Sequence, residues 1–260
     1  MRRGILISIC ILILVVAWIA FCGYEWSWGP FVKLHHLKTA RLPGNAAQYS
    51  VKKIEQLESS PLAGKHILFL GSSVTYGASS EGVSFVEYIA ARNGAVMTKE
   101  AVSGTTLVDN GTDSYIARMK RIDRDMDVDI FVCQLSTNDA TQKKPLGEIS
   151  KDGRYDTSTV AGAIEFIISF ARDTWNCPVI FYTNPRYSSE AYGDMVELLN
   201  RIAENWEISV IDMWNDPDFN SITDEQRSLY LADPIHPTQA GYLEWWTPYM
   251  ETALYEEIGR

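Results

Sequence analysis

Apolar positions along the chain form one long N-terminal run, followed by short runs that alternate with helically spaced segments. The short runs predict five buried strands, at residues 67–70, 95–102, 128–135, 178–182 and 208–213. Apolar residues three and four positions apart predict the intervening helices, at residues 85–93, 115–122, 160–175, 195–202 and 238–258. Because helices separate successive strands, the pattern indicates an α/β domain with a parallel sheet and helices on both faces.

The first apolar run is long enough to span a bilayer. It extends from residue 4 to residue 23 and follows Arg2 and Arg3, so the positive-inside rule places the N-terminus in the cytoplasm. Two alternatives remain open: a cleaved signal peptide, for which residues 20–22 form a poor cleavage site, and a lipoprotein acylated at Cys22. All three interpretations place the rest of the chain outside the cytoplasmic membrane.

The region between this run and the first strand has a mixed character. Residues 25–44 lack a clean period and contain a Leu-Pro-Gly break, which is typical of a linker, whereas helical spacing predicts a helix over residues 45–58. The chain therefore divides into a membrane-spanning helix at residues 1–24, a membrane-proximal linker and helix at 25–64, and a globular domain at 65–260.

Charge and composition narrow the range of partners. The net charge is −10 and no basic cluster occurs outside the termini, which argues against nucleic acid as a partner. Alternating aspartates in residues 123–129 and 216–220 are similar to calcium-binding loops, but both lack the glycine and the glutamate that such loops require. We therefore expect no metal and no other cofactor, and the oligomeric state stays open.

Four short polar motifs follow predicted strands or lie in loops, where open α/β sheets keep their functional sites. They read Gly71-Ser72-Ser73-Val74, Ser103-Gly104, Ser136-Thr137-Asn138-Asp139 and Asp233-Pro234-Ile235-His236-Pro237. Each motif alone has an ordinary explanation, such as a strand-to-loop turn, a turn glycine or a helix cap. Their joint occurrence in one chain favours a shared functional site.

Together the motifs resemble the conserved blocks of the SGNH, or GDSL-type, serine hydrolases, and the resemblance covers residues 65–258. It implies that Ser73 is the nucleophile, that His236 and Asp233 complete a catalytic triad, and that the domain at residues 65–260 is an SGNH hydrolase domain. It also implies an oxyanion hole formed by the N–H groups of Ser73 and Gly104 and the side-chain amide of Asn138.

Two positions depart from the family pattern. Ser72 stands where the family usually has aspartate, which leaves the hydrogen bonds of the nucleophile turn uncertain, and Ser136 stands in place of glycine. The chemistry is nevertheless coherent, because a serine hydroxyl needs a base to remove its proton and a histidine held by a carboxylate supplies one.

The expected fold is a flavodoxin-like three-layer α/β/α domain with a five-stranded parallel sheet, which follows the one transmembrane helix that the apolar run predicts. The expected function is extracytoplasmic hydrolysis of short-chain acyl esters, with O-acetyl groups on a carbohydrate as one candidate substrate. An acyltransferase with the same triad, a lipase or thioesterase, and a non-catalytic binding module are the alternatives. Arg186, Tyr187 and Trp245 are candidate substrate-binding residues, each of which also fits a surface or packing role.

Overall fold

The computed structural model describes residues 2–26, 29–31 and 33–259, and its centre is a five-stranded parallel sheet with strand order β2-β1-β3-β4-β5. The strands are β1 His66–Gly71, β2 Val96–Ala101, β3 Ile130–Gln134, β4 Val179–Tyr182 and β5 Ser209–Ile211. Every adjacent pair is parallel, with Leu68 opposite Phe131 in the central register. The order is that of flavodoxin-like folds, which confirms the predicted fold class.

Side chains alternate between the two faces of the sheet and build a separate core on each face. Leu68 and Leu70 of β1 belong to one core, whereas Ile67 and Phe69 belong to the other. Because both faces are covered, the central strands consist of continuous apolar runs rather than alternating ones. This is why the first and third strands were readable from the sequence.

Helices lie on both faces of the sheet, so the domain has three layers. The α-helices of the described chain are, in order, α1 Arg2–Trp26, α2 Lys33–Thr39, α3 Ser73–Tyr76, α4 Phe85–Asn93, α5 Tyr115–Met119, α6 Thr137–Thr141, α7 Val160–Trp175, α8 Glu190–Trp206, α9 Asp224–Tyr230 and α10 Thr247–Ile258. Residues of α5, α7 and α8 pack in one core, and residues of α4 and α10 pack in the other. Side-chain caps begin several of them, including a capping box formed by Ser84 and Glu87 at α4.

The predicted helix over residues 45–58 is wrong. The chain forms three short 3₁₀ turns there, at Pro43–Asn45, Ala47–Tyr49 and Val51–Lys53, separated by residues in extended conformation. The apolar side chains of Val51 and Ile54 still pack on the core, so their spacing reports burial correctly. The turns lie flat against the domain, and the Tyr88 hydroxyl donates to the Tyr49 carbonyl oxygen at 2.6 Å.

The C-terminal helix, predicted over residues 238–258, departs from regular α-geometry in its first half. Residues Gly241–Trp246 form a π-helical turn that runs directly into α10. Tyr242 and Trp246 from this turn are fully buried and pack in the same core as α4. The wide turn thus directs two large aromatic rings into the domain just after the Asp233–Pro237 motif.

Helix α1 contains a stretch, Ile7–Tyr24, that is long and apolar enough to cross a membrane. No other helix in the described part of the chain has that character. A signal sequence would have the same length and composition near an N-terminus, so the helix is compatible both with a membrane anchor and with a signal sequence.

Candidate active site

Ser73 lies at the carboxyl end of β1, where the strand turns directly into the short helix α3. Its side chain is almost buried, at 7 % exposure, and the neighbouring Ser72 and Thr75 are completely buried. A strand that stops at a sheet edge and a helix that starts at once leave the first helical N–H groups without helical partners. The turn therefore presents both a hydroxyl and free backbone donors at the edge of the sheet.

The structure brings Ser73, His236 and Asp233 together in a hydrogen-bonded chain. His236 Nε2 lies 2.8 Å from Ser73 Oγ, across 163 positions of sequence. On the other side of the ring, His236 Nδ1 lies 2.8 Å from Asp233 Oδ2 and 3.0 Å from Asp233 Oδ1. A serine hydroxyl in contact with an imidazole whose far nitrogen faces a carboxylate is the arrangement that activates a nucleophile.

The Asp233 carboxylate is held by more than the imidazole. The backbone N–H groups of Ile235 and His236 both donate to Asp233 Oδ1, at 2.8 and 2.9 Å. Burial acts to raise the pKa of Asp233, but the hydrogen bond and positive charge of His236, together with these amides, outweigh it and lower that pKa. The carboxyl group is thereby kept in its charged form, which suits a partner for an imidazolium.

The loop that carries His236 is fixed at both of its ends. Leu231 and Pro237 form an antiparallel bridge, and the Ala232 N–H donates to the His236 carbonyl oxygen at 2.9 Å. Asn184, which follows β4, donates from Nδ2 to the Ile235 carbonyl oxygen at 3.2 Å. The imidazole is therefore presented by a closed loop rather than by a mobile one.

Gly104 lies in the exposed turn that follows β2. Its φ of +82° is in the left-handed region, where a residue with a Cβ is disfavoured, so the turn itself calls for glycine. Among the described residues, neither the Gly104 N–H nor the Ser73 N–H donates a hydrogen bond. Both amides are therefore available to a ligand at this edge of the sheet.

Asn138 and Asp139, at the start of the helix α6 that follows β3, hold the same turn. Asn138 Nδ2 donates to the Thr105 carbonyl oxygen at 2.9 Å, which occupies one of its two amide protons and leaves the other. The buried Asp139 carboxylate accepts from the N–H groups of Leu107 and Val108, at 2.8 and 3.1 Å. Burial raises the pKa of Asp139 despite these two amide donors.

Two further residues at the site were not singled out by the sequence. Gln134, the last residue of β3, accepts with Oε1 from the Ser72 N–H at 2.9 Å and from Thr75 Oγ1 at 2.9 Å. Arg118, only 3 % exposed, donates from Nη2 to the Gly71 carbonyl oxygen at 2.7 Å and to Thr105 Oγ1 at 3.1 Å. A polar residue that ends an apolar strand, as Gln134 does, was the one readable signal for this support.

The predicted substrate-binding residues lie in different surroundings. The Arg186 guanidinium is exposed and lies 5.4 Å from the centre of the Trp214 ring, and Tyr187 packs in the core beside Tyr192 and Trp214. Trp245 lies between two rings in a stack, with centroids 4.7 Å from Phe219 and 6.2 Å from Tyr230. Their assignment to substrate binding stays a prediction.

Within the part of the chain that the structure describes, no group of three or more His, Cys, Asp or Glu side chains could hold a metal ion. The functional groups at this edge of the sheet are thus a hydroxyl, an imidazole, carboxylates and amides. Such a set is suited to proton transfer and to attack on a carbonyl carbon.

Solved structures of similar fold cover most of the chain outside its N-terminus. A Lactobacillus plantarum protein has 19 % identity and a TM-score of 0.63, with 74 % of this chain and 97 % of that one covered. A Bacteroides ovatus protein described as a GDSL-like lipase has 18 % identity and a TM-score of 0.58, with 75 % and 99 % covered. A variant of an acetyl-xylooligosaccharide esterase from Geobacillus stearmophilus has 17 % identity and a TM-score of 0.54, with 76 % and 95 % covered.

At these identities the structural likeness shows the fold alone, and no curated protein matched the chain. The sequence model of the GDSL-like lipase/acylhydrolase family matches residues 69–243, which is more than half of the chain and includes Ser73, Gly104, Asn138 and the Asp233–Pro237 motif. This match confirms the resemblance read from the sequence. The chain belongs to the GDSL-like lipase/acylhydrolase family and is an ester-hydrolysing enzyme.

Proposed function

We propose that the protein hydrolyses acyl esters through an acyl-enzyme formed on Ser73. Ser73 Oγ attacks the ester carbonyl carbon while His236 Nε2 accepts its proton, and the imidazolium then gives that proton to the leaving alcohol. In the second half, His236 takes a proton from water, the water oxygen bonds to the acyl carbon, and the bond from that carbon to Ser73 Oγ breaks. The acyl group leaves as a carboxylic acid, and His236 returns the proton to Ser73 Oγ. Asp233 fixes the imidazole and stabilises its charged form.

The observation that carries this proposal is the 2.8 Å contact between Ser73 Oγ and His236 Nε2, with Asp233 at 2.8 Å on the opposite ring nitrogen. The negative charge that develops on the carbonyl oxygen needs donors on the same side. The unoccupied N–H groups of Ser73 and Gly104 and the second amide proton of Asn138 are proposed to supply them.

The nucleophile is tested by active-site labelling of the full-length protein in detergent. A fluorophosphonate probe is expected to label the wild type at Ser73, and Ser73→Ala is expected to lose both labelling and ester hydrolysis. Ser72→Ala is the matched control, because the Ser72 hydroxyl contacts Gln134 at 3.3 Å and not His236, while the Ser72 N–H keeps its shorter bond to Gln134. Hydrolysis that survives in Ser73→Ala would remove Ser73 from the mechanism.

Short acyl groups, such as O-acetyl groups on a carbohydrate, are the proposed substrates. Two structures of similar fold come from enzymes named an acetyl-xylooligosaccharide esterase and an acetyl xylan esterase, which supports this choice. The segment after Asn138 is rich in lysine and other polar residues, and a long acyl chain would gain about 0.8 kcal/mol per buried methylene only in an apolar groove.

A series of aryl esters tests the acyl preference. We expect kcat/KM to be highest for acetyl or butyryl esters and to fall for long chains, and higher activity on decanoyl or palmitoyl esters would redirect the proposal to lipids. Adding an alcohol or sugar acceptor to the same assay separates hydrolysis from acyl transfer. An acyltransferase would consume the ester faster and form the acylated acceptor instead of the free acid.

We further propose that the catalytic domain lies outside the cytoplasmic membrane, held there by α1. The apolar stretch in α1 and the two arginines before it support this orientation. A membrane-impermeant fluorophosphonate applied to intact cells is expected to label Ser73 as efficiently as after lysis. Labelling that requires lysis would place the domain on the cytoplasmic side, and mature protein starting near Gly23 in the medium would indicate cleavage.

A further inference from the structure

The segment of residues 39–53, here called the upstream segment, lies before the residues that the family model matches. It nevertheless contacts both loops that carry the proposed triad. Its central side chain is Asn45, which is only 7 % exposed. The Asn45 amide donates to the Thr39 carbonyl oxygen at 2.8 Å and to the Ser79 carbonyl oxygen at 2.7 Å, and its Oδ1 accepts from the Gln239 N–H at 2.8 Å.

These partners give Asn45 a particular place in the site. Ser79 belongs to the loop that leaves α3 after Ser73, and Gln239 follows His236 by three residues. One side chain therefore joins the loop of the nucleophile to the loop of the base. A second link runs alongside it, because Gln239 Nε2 lies 3.4 Å from the Ser80 carbonyl oxygen.

The backbone beside Asn45 is pressed against the histidine loop. A Cβ on Gly44 would lie 2.1 Å from the Leu229 carbonyl oxygen and 2.3 Å from Thr238 Oγ1, so only glycine fits there. Thr238 itself donates from Oγ1 to the Leu229 carbonyl oxygen at 2.7 Å. The upstream segment is thus seated between α9 and the residues that follow His236, in a position that leaves no room for sliding.

We propose that Asn45 is a positioning residue for ester hydrolysis, which sets the separation of the Ser73 and His236 loops and thereby their 2.8 Å hydrogen bond. The inference rests on the proposed function, because it assumes that this bond activates Ser73. The two loops are distant in sequence, and no covalent neighbour holds one against the other. Asn45 donates to the Ser79 loop and accepts from the Gln239 loop, so its side chain resists movement of one loop away from the other. Small displacements of reacting groups lower the rate strongly.

The test compares Asn45→Ala with Tyr88→Phe in the full-length protein in detergent. Tyr88→Phe removes the bond to the Tyr49 carbonyl oxygen, and so loosens the upstream segment without touching either catalytic loop. Gln239→Pro is a second variant, because it removes the N–H that donates to Asn45 together with the parallel side-chain link to the Ser80 carbonyl oxygen, at the start of a helix where proline is tolerated. Each variant is assayed below its own melting midpoint.

Asn45→Ala and Gln239→Pro are expected to lower kcat and the rate of fluorophosphonate labelling about tenfold to a hundredfold, with KM changed by less than about twofold. Tyr88→Phe is expected to keep kcat within about twofold even where its melting midpoint falls. Wild-type kcat in either bridge variant, or an equal loss in Tyr88→Phe, would overturn the inference. Ser73→Ala is assayed in parallel, and only ester hydrolysis that persists in this variant would overturn the proposed function itself.

Discussion

At the scale of single residues, the proposed chemistry depends on which nitrogen of His236 carries a proton. The Asp233 carboxylate accepts a hydrogen bond from His236 Nδ1 and is itself held by two backbone amides. This favours the tautomer of His236 that has its proton on Nδ1. The free electron pair on Nε2 then faces the Ser73 hydroxyl. The lowered pKa of Asp233 keeps this orientation intact over the range in which histidines titrate.

The pH dependence of hydrolysis follows from this arrangement. An imidazole accepts a proton only when it is neutral, so the wild-type rate is expected to fall towards acidic pH. Because the pKa of Asp233 is lowered from 3.8, its stabilising charge is present above that pH and is lost only as the pH falls through the lowered value. The acidic limb in kcat/KM therefore belongs to the imidazole and should vanish, with most of the activity, in His236→Ala.

Asp233→Asn is expected to lower kcat about 10³- to 10⁴-fold, because an amide in this place favours the wrong tautomer. Initial rates of the wild type, His236→Ala and Asp233→Asn from pH 5 to pH 9 measure the acidic limb and the loss of kcat. An Asp233→Asn protein with the wild-type rate would exclude the carboxylate from catalysis.

Gln134 holds the nucleophile turn by hydrogen bonds, at the place where Ser72 replaces the aspartate that is usual in the family. The buried Ser72 replaces the usual aspartate, and its N–H is satisfied by Gln134 Oε1 from the neighbouring strand. Thr75 Oγ1 donates to the same oxygen and also contacts the Tyr182 hydroxyl at 2.6 Å. Side chains of β3 and β4 therefore hold the nucleophile turn in addition to its own backbone hydrogen bonds.

Gln134→Leu is expected to lower the free energy of unfolding by about 1–3 kcal/mol, because it leaves the buried Ser72 N–H without its acceptor. It should also lower kcat, since the turn that presents Ser73 loses its support. Urea unfolding and ester hydrolysis measure the two effects. Gln142→Leu, at an exposed position, is the matched control and should change neither.

At the scale of elements, the turn after β2 is the most elaborately held part of the site. Arg118 from α5 and Asn138 and Asp139 from α6 all bind backbone or side-chain groups of residues 105–108. The turn carries Gly104, whose free N–H is one of the proposed donors to the oxyanion. Two helices therefore fix the position of one amide.

Asn138→Ala removes a proposed donor to the oxyanion and one of these supports. We expect kcat to fall about 10²- to 10³-fold with little change in KM, because the interaction forms mainly in the transition state. Thr141→Ala at the other end of α6 is the control, and it should keep wild-type kinetics. A loss confined to KM would instead indicate a role in substrate binding.

Secondary structure was predictable where burial fixes the pattern. The continuous apolar residues of β1 and β3 indicated strands covered on both faces. Helix α9 was missed because most of its seven residues are polar, although Thr223 and Gln226 form a capping box that the sequence displays. The 3₁₀ turns of residues 43–53 were misread as a helix because the spacing of Val51 and Ile54 reports which side is buried, not the backbone that buries it.

In the candidate site, the residues proposed to react were singled out by the sequence, and most of those that hold them in place were not. Ser73, Gly104, Asn138, Asp233 and His236 stand in motifs whose residue types match a known chemistry, although their roles stay predictions. Asn45, Arg118 and Gln134 act through hydrogen bonds to residues distant in sequence, which leave no periodic signal. Only the folded chain reveals which carbonyl or amide each one meets.

At the scale of the whole molecule, the upstream segment belongs to the catalytic unit rather than to a linker. A soluble fragment of residues 33–260 is expected to keep ester hydrolysis within about twofold of the full-length protein, whereas a fragment of residues 46–260 should lose about tenfold or more. The shorter fragment lacks Asn45 and with it the link between the Ser79 and Gln239 backbones. Circular dichroism of both fragments separates loss of catalysis from loss of fold.

The full-length chain is expected in the membrane fraction, as the length of α1 would require of an anchor. Fractionation of cells followed by aryl-ester assay tests this, with the 33–260 fragment as the soluble control. Activity of the full-length chain that remains wholly in the soluble fraction would exclude an uncleaved anchor.

The separation of Ser73 and His236 by 163 positions in the sequence also affects when the site can form during synthesis and folding. During synthesis the Ser73 hydroxyl emerges long before the His236 imidazole, and strands β2 to β5 are made between them. Contacts this distant close late in folding, after the local helices and the neighbouring strands have formed. A nascent chain therefore carries an inert serine, and the first turnover of an aryl ester reports the completion of the entire domain.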